Sequence, residues 1–539
     1  MIQEQGKVRK RLVQALTRFF ERGLFAPFLL SIQPVLHLFL INIGELDFSE
    51  VIRPILLSFL FGSVVLGVVY VFIRNWLKAG LIASLFLLLF FLFGDMADWT
   101  SAALGLGIAR RHLLILAFAT LCMIAWIWLV QTRIRNIASV NLFFNLLSLL
   151  FLINSGIQMR NHLVANGISL KRTNYAVPVA AVEPVEPRPD IYYIILDGYG
   201  RKDILQALYQ FDNSDFLNAL QVRGFYVAEE SSSNYIQTML SLSSSLNMDY
   251  LQALRKESVN IEGRGDLIEI LEHSKVRIIL AQNGYRLVSF QNEYKATIPD
   301  AEIYYDDAQA GLAYPVTAFE SILINHTMLR VLSHLPAFNE ALIGMPYAAH
   351  RGYILSTFAK LQEIPAMDGD YFVYAHIIAP HPPFVFGENG EVLPQDEPFT
   401  LSDANYYIKD HSRKSYIAGY RKQIQYVNTL VLETVDAILA RSETAPIIII
   451  QGDHGPGAYL HWGELEQTWP AERFGILNAY YFAGQDNSSL YPSISPVNSF
   501  RVLFNQFFGG NYALIPDQHY YSSWSFPFDF IEVTDLSLP

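Results

Sequence analysis

Between residues 21 and 155 the chain runs in long Leu, Phe and Val stretches, whereas after residue 190 short β-branched runs alternate with stretches of helical period. The first pattern predicts helices in lipid. Apolar segments at 24–43, 54–73, 76–94, 112–130 and 137–154 each come near the ~20 residues that a bilayer-crossing helix needs. The first lacks a small-residue cleavage site and is followed by further apolar spans, so it reads as a retained helix and not as a cleaved signal. The second pattern predicts strands at IYYIIL (191–196), FYVA, YRLVSF, YFVYAHII (371–378) and APIIIIQGD (445–453). Helical stretches are expected around 203–222, after Tyr235, and around 414–441. Continuous β-branched strands between helices imply a mostly parallel sheet buried on both faces, a three-layer α/β/α sandwich.

The two patterns meet in TNYAVPVAAVEPVEPRP (173–189), too rich in Pro for a regular helix and suited to a semi-rigid spacer. The expected organisation is a basic cytoplasmic segment (1–22), a five-helix transmembrane domain (23–155), a linker (156–188) and an extracytoplasmic domain (189–539). Orientation follows the Lys/Arg bias. Lys7, Arg9, Lys10, Arg11, Arg18 and Arg22 precede the first span, Arg74 and Lys78 follow the second, and Arg133 and Arg135 follow the fourth. These segments read as cytoplasmic. Glu45, Asp47 and Glu50 after the first span, and Asp95 and Asp98 after the third, mark outer loops, with Arg110 and Arg111 departing from the rule. An odd number of spans then delivers the domain after residue 155 to the outer face, in a multi-pass cell-membrane protein.

Composition agrees with a chain partly in lipid, since 52% of its 539 residues are hydrophobic and only 16% charged. A net charge of −12, without a basic stripe, excludes nucleic acid as a partner. The single cysteine, Cys122, lies in an apolar run and leaves the outer domain without a disulfide. Within the spans, His37, Pro27 and Pro34 in the first and Asn141, Asn145 and Asn154 in the last admit two readings. They mark a polar path through the bundle, or they make helix-to-helix hydrogen bonds and kinks, and the second is preferred.

Three predicted strands end in residues suited to chemistry: IYYIIL in Asp197-Gly198, YFVYAHIIAP in His381, and IIIIQG in Asp453-His454-Gly455. Ligands of open α/β sheets bind beyond the carboxyl ends of the strands, so these side chains are expected on one rim. Carboxylate and imidazole together suit zinc or manganese. One Asp-His pair recurs by chance, and Asp-Gly is a common turn. Three such strand ends in one domain carry the argument.

The segments PDIYYIILDGYGR, SSSNYIQTMLSLSSSLNM, HIIAPHPPF and IIIIQGDHGPGAYLHWG, in that order, resemble the sulfatase-like family of the alkaline phosphatase superfamily, which includes lipoteichoic acid synthases and lipid A phosphoethanolamine transferases. The resemblance implies an alkaline phosphatase-like sandwich behind five spanning helices. It further implies Thr238 as nucleophile at a helix start, and Asp197, Thr238, Asp453 and His454 as ligands of a divalent metal. His381 and His461 match histidines that hold the phosphoryl group or a second metal. Asp197 stands where these transferases more often have Glu, and Ala-Pro precedes His381 where they have Gly-Ser. The implied reaction passes a phosphoethanolamine or glycerophosphate type of group from a phospholipid donor to a cell-envelope glycan or lipid through a phosphothreonine. Alternatives are a phosphodiesterase or phosphatase, a sulfuric ester hydrolase and, from another class, an inactive membrane scaffold. No C/S-x-P-x-R pattern occurs near residue 238, which disfavours sulfate esters.

Neighbouring residues have plainer readings. Ser241, Ser243, Ser244 and Ser245 compete with Thr238 but fall further along the same helix. His376 reads as a satisfied histidine in a buried strand, and His411, in KDHSRK, as a solvated loop residue.

Overall fold

The computed structural model describes residues 13–41, 48–104, 108–165, 187–256, 264–294, 297–306, 316–395, 399–401, 403–410, 412–482 and 487–535. Most of the Pro-rich linker, the basic residues Lys7 to Arg11, Glu45, Asp47 and His411 lie outside the described residues. The chain forms two compact units. One comprises Met1–Val164 with Pro315–Pro346 and Asp396–Phe399, the other Ala165–Tyr314 with Tyr347–Gln395 and Thr400–Pro539.

The first unit is helical: α1 (Val13–Arg22), α2 (Ala26–Ile41), α3 (Phe48–Ile73), α4 (Trp76–Phe91), α5 (Phe93–Leu104), α6 (Ile108–Trp128) and α7 (Ile137–Ala165). Three helical stretches, Val51–Ile73, Arg110–Arg133 and Ile137–Asn161, are each long and apolar enough to cross a membrane. Two bent pairs, α1 with α2 at 83° and α4 with α5 at 46°, bring the number to five if each pair is one span.

The α1/α2 bend explains two of the asparagines. Asn145 Oδ1 accepts the N–H groups of Phe25 and Ala26 at 3.1 and 2.8 Å, satisfying donors that the start of α2 leaves without helical partners. Its amide donates to the carbonyls of Phe20 and Gly23, and the Asn141 amide to those of Glu21 and Gly23. Both side chains are buried. They tie one helix to another's corner, whereas His37 and Asn154 are exposed.

Residues 315–346, which lie between two strands of the other unit in sequence, belong to this helical unit. Their main element is α9 (Ala318–His326), started by a capping box in which the Thr317 side chain accepts the Glu320 N–H and the Glu320 carboxylate accepts that of Thr317. Phe319 and Leu323 bury against Val35, Leu38, Phe39 and Val51. Ion pairs fix the edges: Arg53 with Glu320, His326 with Asp95 at 2.9 Å, and Arg330 with Asp98 at 2.7 Å.

The second unit is built on a seven-stranded sheet in the order β2-β7-β6-β1-β5-β3-β4. The strands are β1 (Ile191–Leu196), β2 (Tyr226–Val227), β3 (Arg286–Phe290), β4 (Ile303–Tyr305), β5 (Tyr371–Ile377), β6 (Ile447–Gln451) and β7 (Asn478–Phe482). From β6 to β4 every pairing is parallel, while β7 and β2 extend the edge antiparallel. All residues of β1, β5 and β6 are buried, as expected for strands covered on both faces. The long helix expected at 414–441 is α10 (Arg413–Arg441). The stretch expected at 203–222 divides instead into Lys202–Tyr209 and Ser214–Val222, because Gln210 takes a left-handed conformation (φ 51°) and ends the first helix.

Candidate active site

The strand β1 lies between β5 and β6, so the carboxyl ends of these three strands adjoin. Asp197 follows β1 directly, His381 lies four residues beyond β5, and Asp453 and His454 follow β6. The sheet order therefore brings together the three strand ends singled out in the sequence. Gly198 makes the turn after β1 in the left-handed region (φ +72°), which favours glycine. In that conformation its N–H donates to Asp453 Oδ1 at 3.0 Å, linking the two strand ends.

Thr238 enters from another element as the first residue of α8 (Thr238–Asn247). Its hydroxyl lies 3.2 Å from His454 Nε2. The same nitrogen lies 3.4 Å from Asp453 Oδ2 and 3.6 Å from Asp197 Oδ1. Both carboxylate oxygens are buried without a hydrogen-bond partner among the described residues. Oxygens left bare in the interior are costly unless something cationic meets them. The donor set, two carboxylates, an imidazole and a hydroxyl, fits a divalent cation of borderline character.

His376 is the satisfied histidine in a buried strand that the sequence suggests, but it also belongs to the site, a correction to that reading. It is buried in β5, yet its Nε2 lies 3.1 Å from Asp197 Oδ2. Ligand atoms of Asp197, His376 and Asp453 all fall within 4.8 Å of one another, a group able to hold a metal ion. Two histidines thus flank one pair of carboxylates. His454 faces the two bare oxygens, whereas His376 takes the Asp197 oxygen that is already bonded. Either histidine could join the two carboxylates at a metal ion. Asn292 donates to the His376 carbonyl at 2.8 Å and fixes that end of β5.

Two further residues were not read from the sequence. Arg473 is fully buried, and its guanidinium donates to Asp403 Oδ2 at 2.6 Å, to the Gly455 carbonyl at 3.1 Å and to His454 Nε2 at 3.2 Å. Asp403 also faces His381, its Oδ1 3.8 Å from Nε2. A lone arginine in PAERFG and a lone aspartate in TLSD carry no pattern. Only burial marks them.

These charges set the protonation states. Burial pushes the Asp197 carboxyl up, but His381, His376 and His454 outweigh it and hold the group well below the usual carboxylate range. Asp403 is likewise held down against its burial by Arg473. Burial, reinforced by Arg473, lowers His454 and favours the neutral imidazole that can act as a ligand.

The remaining expected residues separate. His381 stands at the rim, its backbone N–H bonded to the Asp197 carbonyl at 3.0 Å and its ring centre 6.3 Å from that of His454. His461 is exposed, and its described hydrogen bonds are backbone ones, to Thr468, Glu464 and Tyr521. Ser243, Ser244 and Ser245 donate to the carbonyls of Leu267, Asp249 and Pro496, which leaves them structural.

Fold and site together define a mostly parallel α/β domain with a buried carboxylate, histidine and threonine cluster, on a chain that also forms an apolar helical unit. No protein-family model and no curated protein matches the chain. Among solved structures it is similar to the C-terminal periplasmic domain of EptC from Escherichia coli, at 12% identity and a TM-score of 0.42 over 66% of this chain and 96% of that one. It is similar to the integral membrane lipooligosaccharide phosphoethanolamine transferase EptA from Neisseria meningitidis, at 14% and 0.41 over 91% and 95%. A third similarity is to the lipoteichoic acid synthase LtaP from Listeria monocytogenes, at 13% and 0.37 over 69% and 86%. At such scores the likeness adds nothing to the chemistry, which rests on the chain's own side chains.

Proposed function

We propose that this chain is a membrane-tethered, metal-dependent phosphotransferase that moves a phosphoryl-alcohol group of the phosphoethanolamine or glycerophosphate type from a phospholipid to a cell-envelope glycan or lipid. The observation that carries the proposal is the convergence on His454 Nε2 of the Thr238 hydroxyl and two bare carboxylate oxygens, within 3.2–3.6 Å. A threonine hydroxyl is a weak nucleophile, and a nearby cation is the usual means of activating one. Asp197, Asp453 and His454, with Thr238 itself, would hold zinc or manganese. When bound, such an ion lowers the hydroxyl's proton affinity and neutralises charge on phosphoryl oxygens.

The chain's own groups do the rest. Thr238 Oγ1 gives its proton to solvent once, before the first turnover, and attacks phosphorus as the alkoxide; the new Oγ1–P bond forms as the bond to the donor's lipid oxygen breaks, leaving a phosphothreonine and, with a proton from His381, a lipid alcohol, and the second step returns Thr238 as the alkoxide. His381, at the rim of the cluster, would give that departing oxygen a proton and take one from the acceptor hydroxyl in the second step. That hydroxyl then attacks phosphorus and frees Thr238. The N-terminal N–H groups of α8 favour the anion beside Thr238. His461, exposed on its loop, has no step here.

Trapping tests the reading. The detergent-purified full chain, incubated with a phospholipid donor and no acceptor, should carry the transferred group on Thr238 by peptide mass spectrometry. Thr238→Ala should lower turnover about 10⁴-fold or more, and Thr238→Ser should retain a part. Modification at Ser241, or full activity of Thr238→Ala, would overturn the assignment.

A further inference from the structure

Two histidines meet the Asp197 and Asp453 carboxylates, and their ring nitrogens face different partners. A neutral imidazole carries one N–H and one lone pair, so the bond made by one nitrogen decides what the other offers. A histidine that binds a metal almost always gives its remaining N–H to an acceptor. His454 meets that condition. Its Nδ1 donates to the Gly455 carbonyl at 2.9 Å, which leaves the Nε2 lone pair facing Thr238, Asp197 and Asp453. A guanidinium only donates, so Arg473, 3.2 Å from the same Nε2, also meets a lone pair there.

At His376 the arrangement is reversed. Nδ1 lies 3.4 Å from Asn292 Nδ2, and Nε2 lies 3.1 Å from Asp197 Oδ2. Backbone groups fix the orientation of the Asn292 amide, since Oδ1 accepts the Tyr294 N–H at 2.8 Å and Nδ2 donates to the His376 carbonyl at 2.8 Å. Turning the amide over would set oxygen against oxygen and N–H against N–H. The group that faces Nδ1 is therefore a donor. Nδ1 keeps its lone pair, and the proton sits on Nε2, where it bonds Asp197. The next residue holds the loop in place, Glu293 Oε2 lying 3.1 Å from Nδ1 of the fully buried His350.

We propose that Asn292 is a positioning residue that holds His376 as its Nε2–H tautomer, which keeps that ring out of the metal's coordination and leaves His454 as the imidazole ligand. This role rests on the metal centre proposed above at Asp197 and Asp453.

Zinc alone is the probe. The full-length protein in detergent is stripped with a chelator and reloaded with one zinc per chain, and X-ray absorption fine structure counts the imidazoles bound to the metal. The unaltered chain should show one. His376→Gln keeps an N–H donor near the place of Nε2, so the count should not change and zinc affinity should stay within about three-fold. Asn292→Asp offers Nδ1 an acceptor, draws the proton there and frees Nε2, and should add one imidazole to the count. A count that falls in His376→Gln, or one that does not rise in a folded Asn292→Asp variant, would overturn the assignment. If Asn292→Asp does not fold, His376→Gln decides alone. An unaltered chain that takes up no zinc would remove the metal centre itself, a separate failure that takes the role of Asn292 with it.

Discussion

His376 shows what a single side chain contributes when neighbours define its role. In a strand otherwise made of Tyr, Phe, Val, Ala and Ile it looked like a polar residue satisfied in the core, and burial bears that out. Its partner, however, is Asp197. A histidine that bonds the second oxygen of a metal-binding carboxylate fixes that carboxylate's orientation, and loss of such support typically costs 10–100-fold in metal affinity. Metal titration of the apo-protein should therefore show about that loss for His376→Ala, whereas Asp453→Asn, which removes a proposed ligand, should abolish stoichiometric binding in elemental analysis. Equal loss in both variants would make His376 a ligand in its own right. No loss in either would remove the metal from the site.

Glu472, beside Arg473, makes a second argument at this scale. Its carbonyl oxygen lies 2.0 Å from where a side chain on Gly455 would begin, so the turn after His454 has room only for glycine. Its carboxyl accepts hydrogen bonds from the Tyr209 hydroxyl and the Tyr459 N–H. Burial pushes that carboxyl from 4.5 up to about 7. Between those values the folded chain holds a proton that the unfolded chain has released, so stability from this group is present at low pH and declines as pH rises toward 7. Glu472→Gln mimics the protonated form and removes that dependence. The melting temperature of the unaltered protein relative to Glu472→Gln should therefore be higher at pH 5.5 than at pH 8. An equal gap at both values would show that the carboxyl does not titrate in this window.

Among the elements, those with long uniform patterns were legible. The runs that became β1, β5 and β6, and the helical period of α10, are set by side chains that must all be buried or all lie on one face. Among the short elements β2 was read in FYVA, but β4 has only three residues, and β7 joins the sheet antiparallel through pairing with distant β6, which no local pattern encodes. The apolar spans were legible as lipid segments but not as shapes. The α1/α2 corner depends on Asn145, 119 residues from Ala26, and so on contacts invisible in either segment alone. Replacing Asn145 with Leu keeps its size and apolar surroundings but strips the Phe25 and Ala26 N–H groups of their partner, while the Phe20 and Gly23 carbonyls keep the Asn141 amide. Each loss in a dry interior costs about 1–3 kcal/mol. The detergent-solubilised variant should lose several degrees of melting temperature, while Asn154→Leu, on an exposed position, should not. Equal behaviour of the two would mean that the corner is held by other contacts.

For the whole molecule, the expectation from sequence was a tether, five spans and then a Pro-rich spacer leading to an outer domain. The helical unit changes that picture, because it includes residues 315–346, which the chain reaches only after β4 and leaves before β5. That segment pairs with Arg53, Asp95 and Asp98. These residues flank the two loops that the Lys/Arg bias assigns to the outside. The segment also alters what proteolysis will show. Protease added to intact spheroplasts should cut within the linker at 173–189, yet the fragment beyond it should remain in the membrane pellet, since α9 still buries Phe319 and Leu323 among apolar helices. Detergent should then release it. Substituting Phe319 and Leu323 together with Ser weakens that anchor and should shift the nicked fragment to the supernatant without detergent. Full protection of the linker in intact spheroplasts, with cleavage only after lysis, would invert the topology and remove the cell-envelope acceptor with it.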